Sequence, residues 1–192
     1  MSDRVLRGNE TVVLIPAYVS DGKAYALYDG GMDPIENITT DCLNYWIPVN
    51  HANHAKAIGG GMIACAVKDD MTLGLTDSEA DTDRTLCDVG QVEELTTKQY
   101  EASLEGFRDK DLSGDGAYNL FYKLTFAPDV TYIIGHRIGV KQTELAIVGE
   151  LWDFYLVDTD VQVPNYGDKA NITVTSTFIP KNNAITAFEL ED

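Results

Sequence analysis

The sequence has few cysteines, few basic residues and no long apolar run. Its three cysteines, Cys42, Cys65 and Cys87, lie far apart, and their odd number argues against a disulfide framework. No apolar segment approaches the roughly 20 residues that a helix needs to span a bilayer. Residues 1–13 have neither the apolar stretch nor the small-residue cleavage site of a signal peptide, so we expect synthesis in a cytoplasm.

Positive charge is scarce throughout the chain. Only 14 Lys and Arg accompany 31 Asp and Glu, which gives a formal net charge of −17. Between Asp69 and Gly116, 14 acidic and four basic side chains leave a charge of −10. A protein this acidic does not hold nucleic acid by neutralising phosphates, although it could lie beside DNA and repel it.

Length and composition predict a single domain over residues 1–192. The hydrophobic fraction is 44%, and a chain of this size can bury a core of its own. Residues 1–10 are polar and are predicted to form an N-terminal arm. Residues 69–96 are turn-rich and acidic and are predicted to form a long loop, a feature that in small domains is typical of functional or binding segments.

Alternating apolar residues predict about eight strands. Residues 151–157 are apolar on both faces, which is typical of a central strand. Residues 142–150 are interpreted as a connector, 164–168 as a turn, and 38–49 fit no pattern. The strand candidates are residues 11–18, 24–28, 62–67, 100–105, 130–138, 151–157 and 172–178, with short pieces at 72–75 and 84–89, and a final strand or arm at 184–190.

One helix is predicted, between about Ser113 and Phe126. Its apolar residues recur at the i, i+3, i+4, i+7 spacing of an amphipathic helix: Ala117, Leu120, Phe121 and Leu124. Ser113 offers an N-cap, and Pro128 would stop the helix. The expected fold is therefore mainly β, with two packed antiparallel sheets, sandwich-like or barrel-like, and one flanking α-helix.

A partial calcium-binding pattern precedes the helix. Asp111, Ser113, Asp115 and Gly116 match the first half of an EF-hand loop, in which oxygen ligands surround Ca²⁺. The twelfth position, which should be a bidentate Glu, is Tyr122. We interpret the segment as a turn with a helix cap, and a weak cation site is the alternative.

Histidines and glycines form no recognisable reactive group. His51 and His54 have no Cys-x₂-Cys pair beside them and are interpreted as exposed polar residues, whereas His136 is interpreted as a packed or interface residue. The triple glycine at 59–61 lacks the Gly-Lys-Ser/Thr of a phosphate loop, so backbone flexibility or a tight turn accounts for it. The sequence predicts no catalytic, cofactor-binding or metal-ligating residues.

The order of segments carries a family resemblance. The strand–helix–strand stretch YEASLEGFRDKD, GAYNLFYKLTF and VTYIIGHRIG follows the acidic LTDSEADTDRTLCDVG and precedes WDFYLVDTDVQVPNYGDKANITVTSTFIP. This arrangement resembles the major tail tube protein of long non-contractile-tailed (siphovirus) bacteriophages, mainly those of actinobacteria. The resemblance covers residues 10–180, with a weaker match over 29–62 that leaves the role of residues 51–61 open.

The resemblance implies a non-enzymatic structural subunit of the virion tail, made in the host bacterial cytoplasm. Its copies would form hexameric rings that stack into a tube, with other tail proteins at the tube ends. Genomic DNA would pass through the lumen without specific binding. We would expect the arm or the acidic loop to contact a neighbouring subunit, and part of the negative charge to face the lumen.

Two other classes of protein are weighed against this one. The first is a calcium- or carbohydrate-binding β-sandwich module that uses the loop at residues 109–115. The missing signal peptide counts against it. The second is a hydrolase without a recognisable motif.

Overall fold

The computed structural model describes residues 9–17, 35, 38–47, 59–69, 71–76, 79–81, 94–97, 99–111, 113–114, 116–166 and 172–191. Within them the chain forms ten strands and two helices. The strands are β1 Glu10–Pro16, β2 Gly61–Met62, β3 Thr72–Leu75, β4 Glu79–Asp81, β5 Glu94–Thr97, β6 Tyr100–Phe107, β7 Thr131–Ile138, β8 Leu151–Thr159, β9 Val163–Asn165 and β10 Thr173–Glu189. The helices are α1 Thr40–Trp46 and α2 Ala117–Leu124.

Antiparallel pairing organises the strands. Eight strands form one sheet in the order β2-β1-β7-β8-β10-β6-β3, in which β9 also pairs with β10, and β4 pairs with β5 separately. The prediction of a mainly β, antiparallel fold is confirmed. The predicted sandwich takes the form of one continuous sheet, because β10 is long enough to bond with β8 and with β6.

Strand β10 changes partner along its length. Thr173–Phe178 pairs with β6, and Phe178–Glu189 pairs with β8. Two register shifts interrupt the second pairing, and Ala187 has a φ of 53°. Irregularities of this kind bend a strand and increase its twist, so the sheet can curve around a core. The segment predicted as a final strand or an arm is the second half of this strand.

Both faces of the central strands are buried. Alternate residues of β1, β7 and β8 pack with α1 in a first core, and the intervening residues pack with β6, β10 and α2 in a second core. On β8, Trp152 and Phe154 lie in the first core, whereas Tyr155 and Val157 lie in the second. The prediction of a central strand with two apolar faces is therefore confirmed.

Helix α2 has the predicted apolar face, but Ser113 does not cap it. The N-cap is Gly116, which has no side chain with which to cap the helix, and Ser113 lies before it with its hydroxyl donating to Asp111. Leu120, Phe121 and Leu124 are buried, and the ring of Phe121 packs so closely on β6 that a Cβ at Gly106 would lie 2.3 Å from it.

Three further expectations are corrected by the structure. One helix was expected, but a second, α1, lies in the segment that fitted no pattern, and its N-cap Thr39 accepts a hydrogen bond from the backbone N–H of Cys42. The strand predicted over residues 62–67 ends at Met62, since residues 64–66 form a turn. The turn predicted over 164–168 begins with β9, and residues 167–171 lie outside the described part. Strands predicted at 24–28 and 84–89 also lie outside it.

Candidate assembly surfaces

The loop with the partial calcium pattern is closed by its own hydrogen bonds. One carboxylate oxygen of Asp111 accepts bonds from the backbone N–H and the hydroxyl of Ser113, at 2.9 and 2.6 Å. These bonds stabilise the ionised form and lower the pKa of Asp111 below its usual value. Asp115, the third candidate ligand, lies outside the described residues.

Side chains from α2 donate hydrogen bonds to carbonyl oxygens of the same loop. The Asn119 amide donates to the carbonyls of Asp111 and Gly114, at 2.5 and 3.1 Å, and the Lys123 ammonium donates to Gly114 at 3.1 Å. An ammonium group beside the loop opposes a second cation there. Nowhere in the described part of the chain do three or more His, Cys, Asp or Glu side chains converge as metal ligands.

Other candidate reactive residues lie apart from one another. His136 is buried, with its Nε2 3.2 Å from the Glu10 carboxylate, which agrees with its interpretation as a packed residue. Cys42 lies in the first core, where burial raises the pKa of its thiol to about 12, whereas Cys65 is exposed, and both are free. His51, His54 and Cys87 lie outside the described residues.

The triple glycine allows the chain to pack closely against α1 and β1. A Cβ at Gly60 would lie 2.5 Å from the Trp46 ring and 2.7 Å from Pro16. Gly59 and Gly61 have φ values of 67° and 146°, which favour glycine. The tight-turn interpretation fits this geometry, because the chain must pass between α1 and β1 without side chains.

A small cavity lies against β1. Its volume is about 190 Å³, below the roughly 300 Å³ at which ligand pockets usually begin. Aromatic side chains, on which sugars commonly stack, are absent from its lining, which consists of Glu10, Val12, Ala64, Val67, Lys68, Asp69, Met71 and Gln142. The cavity gives the carbohydrate-binding hypothesis no support.

A buried arginine fixes the loop between β7 and β8. Arg137 is 1% exposed and lies over the Trp152 ring, with its guanidinium carbon 4.9 Å from the ring centroid. Its strongest contact is the Glu150 carboxylate, at 2.8 Å. We call this group the arginine clamp. Its other acceptors are the Thr11 hydroxyl at 3.1 Å and the carbonyls of Leu145, Lys141 and Glu144 at 3.4, 3.3 and 2.8 Å.

Helix α1 holds the same loop from the other side. The Asn44 amide accepts from the Ala146 N–H at 2.7 Å and donates to the Ala146 carbonyl at 3.0 Å. Ala146 is buried in the first core. Its neighbours point outward and form what we call the apolar ridge: Leu145, Ile147, Val148 and Leu151, which are 51%, 63%, 55% and 59% exposed.

Further surfaces suited to assembly lie elsewhere on the sheet. Strand β3 is the last strand in its order, and within the described residues no strand pairs with its outer edge. Open edges of this kind accept a strand from another chain. A second exposed apolar group surrounds β9 and comprises Val161, Val163, Tyr166 and Ile172.

The fold and the surfaces described above indicate the class of protein to which the chain belongs. A mainly β domain with an open sheet edge and apolar surface groups, and with no metal cluster among its described residues, is suited to act by assembly. The family model for phage tail tube protein matches residues 55–187. The chain belongs to the phage tail tube protein family. No curated protein gives a significant match.

Family membership confirms the resemblance at the level of the tail tube. It makes the chain a structural component of the phage tail that assembles with itself and with other tail proteins. Among the described residues, no helix is both long and apolar enough to cross a bilayer. The siphovirus type of tail and the actinobacterial host remain predictions.

Sequence reasoning missed the apolar ridge and the arginine clamp. The sequence interpretation of residues 142–150 as a connector assigns no surface to them. One signal was present: the uncharged run from Leu145 to Gly149, enclosed by Glu144 and Glu150 in a very acidic chain.

Proposed function

We propose that copies of this chain form hexameric rings that stack into the tail tube, and that the tube is the channel for DNA delivery. The observation that carries the proposal is the match to the tail tube family over residues 55–187. The open edge of β3 supports it, because a closed ring needs two different patches that meet on neighbouring subunits. Other tail proteins would bind the tube ends.

The domain organisation belongs to the same proposal. The chain would be one tail-tube domain over residues 1–192, with an N-terminal arm at about 1–10 and an acidic loop at about 69–96. Strands β3, β4 and β5 lie in or next to this acidic segment. At least one of these segments would contact a neighbouring subunit and bury surface there.

Electron microscopy of the purified chain tests the assembly directly. Negative-stain images and sedimentation velocity should show six-fold rings or tubes of uniform diameter. A chain that remains monomeric at high concentration, across a range of salt and pH, would contradict the proposal. Rings of a different symmetry would retain the tube and reject the hexamer.

The negative charge would keep DNA from adhering to the channel. A basic lining would exchange counterions for phosphates and hold the duplex at many sites, whereas an acidic lining repels it. At physiological salt the Debye length is about 8 Å, so repulsion from the wall reaches far into a narrow pore. The chain's net charge of −17 supports this proposal.

The charge proposal has its own measurement. Assembled tubes should not retain duplex DNA in a co-sedimentation assay at physiological salt, and the inner wall should have a negative potential in a reconstruction. A neutral or positive wall would reject the mechanism and leave the assembly proposal unaffected. Production in the host bacterial cytoplasm, as part of the same proposal, predicts that the chain folds without an oxidising compartment.

A further inference from the structure

The apolar ridge concentrates exposed apolar side chains, as the group around β9 also does. Single exposed apolar side chains are common on protein surfaces, but in the ridge four lie within residues 145–151, at the end of the loop and the start of β8. The uncharged stretch spans residues 145–149, and the charge that follows it, on Glu150, is paired with Arg137. The ridge is thus an apolar area on a molecule with a net charge of −17, and the exposed Glu189, which pairs with Leu151 and lies near Gly149, borders it.

The backbone beneath the ridge is fixed before any partner binds. The arginine clamp bonds three carbonyls of the loop, and Asn44 bonds both backbone groups of Ala146. The Gly149 N–H donates to the Leu190 carbonyl at 2.9 Å, and the Leu190 N–H donates to the Glu150 carbonyl at 3.0 Å. A preorganised loop loses little conformational entropy on docking, so its apolar side chains contribute more of their burial to affinity.

The net charge of the chain indicates which kind of partner would bind the apolar ridge. Two copies that approach each other repel through their acidic surfaces, so a contact between copies requires an area without carboxylates at its centre. A basic partner would bind preferentially where carboxylates cluster, whereas the four side chains of the ridge carry no charge. A tail tube protein assembles with itself, so a second copy is the partner that family membership already requires.

We propose that the apolar ridge is a docking contact between copies of this chain, held ready by the arginine clamp and Asn44. The inference deepens the proposed function and rests on it. Leu145, Ile147, Val148 and Leu151 would pack against a different patch on the neighbouring copy, because the contact has to continue from one subunit to the next.

The test substitutes the most exposed ridge residue. Ile147→Glu places a charge where apolar burial is expected, and burying a charge without a partner is strongly unfavourable. The concentration at which the protein assembles, measured by sedimentation velocity and negative stain, should rise about tenfold or more. The circular dichroism and melting curve of the unassembled protein should match those of the parent chain.

Two variants serve as matched controls. Ile147→Leu keeps the apolar area and should assemble within about twofold of the parent chain, since volume-conserving apolar exchanges are tolerated best. Thr143→Glu adds the same charge to an exposed position of the same loop, outside the ridge. It should also assemble within about twofold of the parent, because a charge that no contact desolvates is screened by salt.

The outcomes separate the inference from the proposed function. If the parent chain forms no rings or tubes under any condition, the proposed function fails and the inference fails with it. If the parent assembles and Ile147→Glu assembles equally well, only the inference is overturned. An equal loss of assembly in Thr143→Glu would also overturn it. A large loss of monomer stability in Ile147→Glu would do so as well, because it would show that the chain's own residues cover the ridge.

Discussion

Two loops of this protein are held in place by different kinds of side chain. The loop between β7 and β8, residues 139–150, is held by a buried arginine and displays apolar side chains. The loop between β6 and α2, residues 108–116, is held by the neutral amide of the buried Asn119 and by the exposed Ser113 and Lys123, and it displays carboxylates. The first loop therefore presents apolar side chains to solvent, whereas the second presents charged groups that water solvates.

The energetic difference lies in the anchors. Only 1% of Arg137 is exposed, so moving the loop away would leave its guanidinium buried without partners. Asp111 is exposed, and water can replace the bonds that it accepts from Ser113. Removing the anchor of the first loop should therefore lower the free energy of unfolding more than removing a bond of the second loop.

The largest effect is expected from Arg137→Met. The variant removes the clamp and leaves Glu150 partly buried without its cation, a loss that for buried pairs costs about 3–5 kcal/mol. Urea unfolding of the unassembled protein measures the difference. The control is Lys181→Met, which breaks the more exposed pair with Asp158 and should cost about 1 kcal/mol or less. Equal losses would show that Arg137 is no special anchor.

A smaller effect is expected from Asn44→Ala. The variant removes both bonds to Ala146 but leaves the arginine clamp intact, so we expect a loss of about 1–3 kcal/mol. Hydrogen exchange should show faster exchange at Ala146, with β8 unchanged. If the Ala146 amide stays protected, Asn44 does not hold the loop.

The strands were predictable because their alternation reflects burial. Tyr100, Ala102 and Leu104 face the second core, as their spacing from Glu101 and Ser103 indicates. Such a pattern is local, so the sequence contains it in full.

The arginine clamp was not predictable for the opposite reason. Its partners extend from Thr11 to Glu150 and meet only once β1, β7 and β8 are paired. Helix α1 was missed because seven residues are too short to show a helical period, although Thr39 before Asp41 is an N-cap signal. The Ser113 cap was wrong because the helix begins at Ala117, which makes Gly116 and not Ser113 its N-cap.

The loop between β6 and α2 allows a test by pH titration. Bonds from Ser113 lower the pKa of Asp111, so this carboxylate contributes stability above its ordinary pKa of 3.8, and the contribution is lost as pH falls through the lowered value. In Ser113→Ala the pKa of Asp111 should rise toward 3.8, as measured by NMR. The pKa of Glu105, lowered chiefly by Lys68, should stay unchanged and serves as the internal control. If the pKa of Asp111 does not change in this variant, a group other than the Ser113 hydroxyl lowers it.

The smallest effect is expected from calcium. With Tyr122 at the twelfth position and the Lys123 ammonium bonded to the Gly114 carbonyl, the loop should not bind Ca²⁺, and neither Ca²⁺ nor EDTA should change the melting temperature. The measurement is sensitive to weak sites. A ligand present at 100 times its dissociation constant stabilises a protein by about 2.7 kcal/mol. For a domain of this size, that corresponds to a rise of about 5–10 °C. A Ca²⁺-dependent rise of that order would restore the calcium-binding alternative, and its loss in Asp111→Asn, but not in Asp129→Asn, would locate the site in this loop.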